Sequence, residues 1–410
     1  MKKIVLLSAL LLMLTSCQSR NIPSQEYFHS TLAIDKVENL SSSFIKGMDV
    51  SSLISLEQSG VKYYDIDNKE KDLLEILSLH GINYIRVRIW NNPYTSLGEG
   101  YGGGNSDLEK AIEIGKRAKK YKQKLFVDFH YSDFWADPSK QYAPKEWKNY
   151  SLNQKKDAIY NFTKDSLTKM KKEKIDIGIV SIGNEINSGL CDEYNIDDVC
   201  SLINYGSKAV REVDQSIKVA VHYTDPQKDG LFKYYSDTLN KNKVDYDIFS
   251  TSYYPYYHGT LDQLSSSLSY VSSTYNKEVM VSETSYCYTS NDTDYFSNSV
   301  SDSTKCDKPY EFSLLGQATH VRNVIDTVSH IDNGIGVFYW EGVWISVNQS
   351  SYEENKKLWE KYGSGWATSY SKEYDPYDAG VYYGGTSVDN QAFFDQNGKV
   401  LESLKVFNLV

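Results

Sequence analysis

The chain has 410 residues, 24% of them charged and 40% hydrophobic, with 25 glycines and 8 prolines, which is the make-up of a folded globular protein and excludes a disordered or collagenous one. A net charge of −10 argues against a nucleic-acid binder, which carries a basic face. A mean hydropathy of −0.51 argues against a polytopic membrane protein. The 35 tyrosines, with 7 Trp and 14 Phe, suit surfaces that grip sugars or other proteins.

Residues 1–17 read MKKIVLLSALLLMLTSC. Lys2 and Lys3 form a positive start, and the apolar run from Ile4 to Leu14 falls short of the ~20 residues that span a bilayer. Leu14-Thr15-Ser16-Cys17 resembles a bacterial lipoprotein signal, in which the cysteine becomes the lipidated first residue. The expected organisation is a lipoprotein signal peptide over 1–16, a flexible polar tether over 17–43 and a single domain over 44–410. The implied location is the bacterial envelope, at the outer membrane or cell surface, with the membrane touched only through a lipid on Cys17. Setting Cys17 aside leaves Cys191, Cys200, Cys287 and Cys306. An even number in an oxidising compartment points to disulfides. Three pairings are open, of which the local Cys191–Cys200 and Cys287–Cys306 are preferred.

From Ile45 onward, short β-branched and aromatic runs alternate with helical patterns. The strands are expected at 45–50, 82–90, 124–131, 179–185, 218–224, 247–255, 278–286 and 335–342. Helices are expected at 69–80, at 106–121 with Ser106 and Glu109 as a capping box, and at 153–172, 197–213 and 312–329. Near-continuous apolar strands alternating with helices indicate a parallel sheet buried on both faces, and eight such units predict an α/β fold, a single-domain (β/α)8 TIM barrel. Nothing in the pattern demands more than a monomer.

Function in this fold gathers at the C-terminal ends of the strands. Glu185 closes the fourth strand and Glu283 the seventh, on opposite sides of the barrel mouth. A retaining glycosidase needs such a pair, one carboxyl protonating the leaving oxygen while the other attacks the anomeric carbon. Asn184, an amide able to bond the sugar 2-hydroxyl, precedes Glu185, which is therefore read as acid/base; Glu283 is read as nucleophile, held by donors such as Arg88 and Tyr253. Trp90, Asn91, Trp340 and Trp344, together with Trp135 and Tyr257, form a candidate aromatic and polar shelf for sugar, with His130, His222 and Asp378 as further contacts.

The strings KGMDVSS (46–52), RVRIWNNPY (86–94), VDFHYSDFWADP (127–138), SYYPYYHGTL (252–261) and VFYWEGVWI (337–345), with Asn-Glu on strand four and Glu on strand seven, resemble glycoside hydrolase family 53 of clan A, the arabinogalactan endo-β-1,4-galactanases. The resemblance runs from about Lys46 to Phe407. It implies hydrolysis of β-1,4-galactan, the side chains of pectic type I arabinogalactan, with retention of configuration in a groove open at both ends. It also implies a structural Ca²⁺ on the loop after strand seven, held by Asp292, Asp294 and Asn298 and closed by Thr386 and Asp389, with no cofactor for catalysis. The chain departs from the family pattern at Gly342, where proline is expected, at Tyr257, where tryptophan is frequent, and at Phe296, where histidine is expected. The rival readings are another clan A endo-glycanase (β-mannanase, cellulase or xylanase), a non-catalytic surface glycan-binding lipoprotein, and a metal-dependent barrel hydrolase.

Overall fold

The computed structural model describes residues 25–410. Eight strands close into a parallel barrel in sequence order: β1 (Ile45–Asp49), β2 (Tyr84–Ile89), β3 (Lys124–Phe129), β4 (Ile177–Ile182), β5 (Lys218–Tyr223), β6 (Ile248–Ser252), β7 (Glu278–Thr284) and β8 (Gly334–Tyr339). β8 pairs back onto β1, so no strand edge is left open. The expected eightfold α/β barrel is what forms.

Alternation along each strand divides two cores. Inward residues, among them Phe126, Ile248, Met280 and Phe338, plug the barrel, while the outward set packs beneath the helices. Each fully buried side chain of this size contributes about 1.5–3 kcal/mol. Phe338 fits because β1 offers Gly47 opposite it; any Cβ there would overlap the ring.

The helices are α1 (Leu53–Gln58), α2 (Leu73–Leu79), α3 (Leu108–Lys120), α4 (Leu152–Lys172), α5 (Ile196–Val213), α6 (Leu231–Lys241), α7 (Leu261–Tyr275), α8 (Leu314–Ser329), α9 (Tyr352–Tyr362) and α10 (Val406–Leu409). All five expected helices are present. At α3 the cap is Asp107 rather than Ser106: its carboxylate accepts from the Lys110 N–H, while the Ser106 hydroxyl turns back to the Gly103 carbonyl. The charge-assisted bond of an aspartate is the stronger cap. A full capping box does form at α4, between Ser151 and Gln154. None of the described helices is long and apolar enough to cross a membrane.

The signal peptide and Cys17 lie outside the described residues. The expected tether gives way from Gln25 onward, where the chain is strapped to the barrel. Tyr27 is buried against His80 and donates to Asp65, Val37 enters the core, and Lys405 and Arg322 bond the carbonyls of His29, Asp35 and Lys36. A few apolar side chains among polar ones suffice, because the backbone polar groups find partners on the barrel. Cys191, Cys200, Cys287 and Cys306 are free thiols in the structure, so neither expected disulfide is formed; Cys287 and Cys306 do share one small apolar cluster.

Candidate active site

Glu283 faces the barrel interior because β7 breaks register. Thr251 pairs with Val281, but Ser252 pairs with Glu283, leaving Ser282 as an extra residue. Strict alternation from inward Met280 would turn position 283 outward; the bulge turns it in, beside inward Ser252. Glu185 arrives by a different device. β4 stops at Ile182, and the backbone becomes left-handed at Gly183 (φ 89°) and again at Glu185 (φ 45°). That conformation costs a glutamate energy. Gln141 holds it by donating to the carbonyls of Asn184 (2.9 Å) and Glu185 (3.2 Å), and the Ile186 N–H bonds the His222 carbonyl at 2.9 Å.

Both carboxyls line one cleft of about 260 Å³, together with Arg86, Arg88, His130, Trp135, Asn184, Tyr254, Tyr257, Trp340 and Trp366. Arg86, wholly buried, organises its floor. Its guanidinium donates to Asp49 (2.8 Å), Asp128 (2.7 Å), Asn184 Oδ1 (3.0 Å) and Glu283 Oε1 (2.7 Å). The Tyr254 hydroxyl donates to Glu283 Oε2 at 2.8 Å. Burial pushes Asp128 upward, but Arg86 and His130 outweigh it and hold it at about 2. His130 and His222 are both pushed down by burial, His222 to about 3, so both imidazoles are neutral.

The two glutamates sit in unequal fields. Burial and the charge of Glu283 raise Glu185 well above the usual carboxyl range. Burial raises Glu283 too, but the Arg86 guanidinium and the Tyr254 hydroxyl oppose it. Both carboxyls are thus raised, and the Arg86 and Tyr254 contacts make Glu283 the one that more readily carries the negative charge.

One wall is aromatic. Trp135 stacks on Trp366 with centroids 4.6 Å apart and planes at 10°, and Arg88 lies 4.4 Å from the Trp135 ring. Arg88 is anchored in turn on Glu341 (2.5 Å) and the Gly103 carbonyl (2.6 Å). Burial lifts Glu341 to about 7 despite Arg88.

Of the expected site residues, Glu185, Glu283, Arg88, His130, Asn184 and Trp340 line the cleft. Trp90 and Trp344 are wholly buried behind it, their indole N–H groups bonding His130 and the Ser364 carbonyl. Asn91 borders a separate polar depression with Asp133 and Trp147. His222 lies under the floor between Asn184 and Ser252. Tyr253 is buried, its hydroxyl on the Gly259 carbonyl. Asp378 is half exposed and paired with Lys140 at 2.5 Å. The expected holders of Glu283, Arg88 and Tyr253, are each displaced by a neighbour. Arg86 stands two residues deeper on the same inward face of β2, and Tyr254 stands just past β6 where the chain leaves strand alternation.

Arg86, Asp49, Asp128 and Trp366 escape the sequence reading as site residues. A signal for Arg86 exists: Arg-Val-Arg on a strand puts two guanidinium groups on one face, and a buried guanidinium requires carboxylates. Trp366 has no such signal, since it comes from a loop far along the chain.

A second cluster lies on the loop after β7. Asp292, Asp294 and Asp389 bring carboxylate oxygens within 4.8 Å of one another. Asp389 Oδ1 and Asn298 Oδ1 are buried without a partner. Burial and Asp389 push Asp294 up to about 8. Thr386 donates its N–H to Asp294 at 2.8 Å, closing the loop. Orphaned buried oxygens and mutually repelling carboxylates fit a hard divalent cation. Phe296, against Trp359, has only its backbone to offer.

The family model described as glycosyl hydrolase family 53 matches residues 45–407. The chain is 54% identical to the endo-β-1,4-galactanase of Bacillus subtilis (strain 168), over 92% of this chain and 88% of that one. It is 34% identical to the arabinogalactan endo-β-1,4-galactanase of Humicola insolens, over 73% and 90% of the two chains. Among solved structures, a GH53 catalytic domain from Ignisphaera aggregans superposes with a TM-score of 0.81 at 35% identity, covering 92% of this chain and 99% of that one. With a barrel, a paired-glutamate cleft and a family match spanning nearly all of both, the chain belongs to glycosyl hydrolase family 53.

Proposed function

We infer that the protein is an endo-β-1,4-galactanase that hydrolyses β-1,4-galactan with retention of configuration. The observation that carries this reading is the unequal pair: Glu185 and Glu283 line one cleft, the first kept protonated by burial, the second held ionised by Arg86 and Tyr254. The Glu185 O–H gives its proton to the glycosidic oxygen as the Glu283 carboxylate attacks the anomeric carbon. Water then enters, Glu185 takes its proton, and the glycosyl–Glu283 bond breaks. Asn184 keeps one amide hydrogen free for the sugar 2-hydroxyl, its other groups being bound to Arg86, His222 and the Ala136 carbonyl. The Trp135–Trp366 stack and Trp340 offer faces to the pyranose C–H groups.

Product analysis on linear β-1,4-galactan tests the reading. Oligosaccharides of several lengths from the first minutes, with β-anomers formed initially, support it. Release of single sugars from one end, α-anomers, or no turnover of galactan would overturn it.

The finer expectations belong to the same proposal. Asp292, Asp294, Asp389, Asn298 and Thr386 hold a calcium ion that pins the β7 loop and takes no part in bond cleavage. The amino terminus, from Cys17, carries a lipid that keeps an exported monomer at the bacterial envelope, consistent with the charged and apolar pattern of residues 2–14.

A further inference from the structure

The two ends of the barrel differ in charge. The cleft opens at the C-terminal ends of the strands, and the N-terminal ends form a base that the reaction does not use. On that base the chain reads KRAKKYKQK (116–124) where α3 turns into β3, and KMKKEKID (169–176) where α4 turns into β4. These two turns hold ten basic residues and two carboxylates, in a chain whose net charge is −10. They form one patch: Lys116 pairs with Glu173 at 3.0 Å, and the Leu125 N–H bonds the Asp176 carbonyl at 2.8 Å.

Arg117 is spent on Glu57 and Asp72, and Lys171 on Asp214. Lys119, Lys120, Lys122 and Lys124 are exposed and have no carboxylate partner among the described residues. The same holds for Lys169, Lys172 and Lys174. A helix C-terminus favours cations, but α7 and α8 also end at the base and carry no basic residue in their last turns. Lys122 and Lys174 moreover stand on left-handed backbone (φ 62° and 59°), where glycine is the favoured residue. Seven unpaired ammonium groups on one quadrant repel one another, and an anionic surface relieves that repulsion.

The amino-terminal segment docks beside this patch. The Asn408 amide donates both to the Tyr27 carbonyl (3.3 Å) and to the Leu79 carbonyl (2.9 Å) at the end of α2. One residue earlier, the Ser78 hydroxyl donates to the Tyr121 carbonyl in the first basic turn at 3.2 Å. Further along, Ser41 and Ser43 border a depression at the barrel base together with Lys124. Cys17 is eight residues from Gln25, at most about 29 Å of extended chain. A lipid on Cys17 therefore brings the base, rather than the cleft, to the headgroups.

We propose that the α3–β3 and α4–β4 turns are a docking face for the anionic phospholipid headgroups of the membrane that carries the anchor. The cleft then opens away from the bilayer, toward polysaccharide. The choice of a lipid surface over an acidic polysaccharide rests on the lipid at Cys17; the charge of the face does not.

The test uses the mature chain from residue 17 with Cys17→Ser, which has no lipid. It is sedimented with vesicles of phosphatidylcholine alone or with about one-third phosphatidylglycerol. Binding is expected to the anionic vesicles only, and is lost at about 0.5 M salt, where screening is short-ranged. Lys122→Glu, Lys124→Glu, Lys172→Glu and Lys174→Glu combined should weaken it by about 100-fold or more and leave hydrolysis of soluble galactan unchanged. Lys305→Glu, Lys357→Glu, Lys361→Glu and Lys372→Glu combined, at exposed positions after β7 and β8, make the same change in net charge and should weaken it far less. Equal loss in the two sets, equal binding to neutral vesicles, or capture by polygalacturonate but not by phosphatidylglycerol overturns the proposal. Glutamine at the same four base positions gives the same reading should the charge reversals not fold. The anchor is read apart, from the membrane fraction of cells making the wild-type chain or Cys17→Ser. Matching distributions overturn the anchor and leave the face standing, whereas failure on vesicles overturns the face and leaves the anchor.

Discussion

Arg86 and Glu283 form a 2.7 Å ion pair in which the guanidinium is wholly buried and also serves Asp49, Asp128 and Asn184. Removing one member of such a network leaves carboxylates buried without a counter-charge, at about 3–5 kcal/mol. Arg86→Met is expected to lower the melting temperature strongly and abolish galactan hydrolysis. Arg86→Lys should fold better and still lose about 100-fold or more in kcat, because a lysine cannot present the fork that reaches four acceptors. Melting curves and steady-state kinetics on the two variants check this; near-normal turnover in the lysine variant would show that the fork is dispensable.

The two glutamates should fail in different ways. Glu283→Ala and Glu185→Ala are each expected to lose about 10³-fold or more in kcat on galactan. Added azide should restore turnover of an aryl galactoside in both, giving the α-azide where Glu283 is missing and the β-azide where Glu185 is missing, because azide occupies the vacated face. NMR of the products identifies the anomer, and the same anomer from both variants contradicts the division of roles.

Glu341 provides a pH signature of stability. Burial raises its carboxyl from 4.5 to about 7 in the folded protein. Below 4.5 both folded and unfolded states hold the proton. Between 4.5 and 7 only the folded state does, so the contribution of Glu341 falls as pH rises through that window. Glu341→Gln cannot ionise. Its melting temperature should match the wild type near pH 4.5 and decline less by pH 8; parallel declines of the two proteins would exclude Glu341 as the source.

Calcium is expected to act on stability rather than on chemistry. Chelation should lower the melting temperature by several degrees while the initial rate at moderate temperature is little changed, and calcium should restore it in a concentration-dependent way. Asp294→Asn should remove that response. Differential scanning fluorimetry with and without chelator measures both, and an immediate loss of turnover on chelation would instead place the cation in the reaction.

Gly103 makes room for the aromatic wall. It has φ +56°, and a Cβ there would lie 2.7 Å from Trp135 and 2.8 Å from Trp90. Gly103→Ala should therefore push the Trp135 ring aside, loosen the Arg88 anchor on the Gly103 carbonyl, and raise KM for galactan more than it lowers kcat. Unchanged KM would show that Trp135 is not part of the sugar-binding wall.

The barrel was legible in the amino-acid order because its information is local: eight apolar runs separated by helical periods force parallel strands covered on both faces, whatever the side chains do in detail. So was the placing of Glu185 and Glu283 at the C-terminal mouth of the barrel, although Glu185 lies past the end of β4 at Ile182 and Glu283 lies within β7. The partners of those glutamates were not. Arg86 rather than Arg88 meets Glu283 because a register break in β7 and the packing of five buried polar groups decide which rung of β2 faces it. Trp90 and Trp344 looked like sugar platforms and are wall filling, whereas Trp366, carried on a distant loop, stacks on Trp135 in the cleft. Periodicity assigns a residue to a face of a strand. Only the closed barrel, by bringing residues 49, 86, 128, 184 and 283 within one guanidinium's reach, decides which charges meet and where the proton rests.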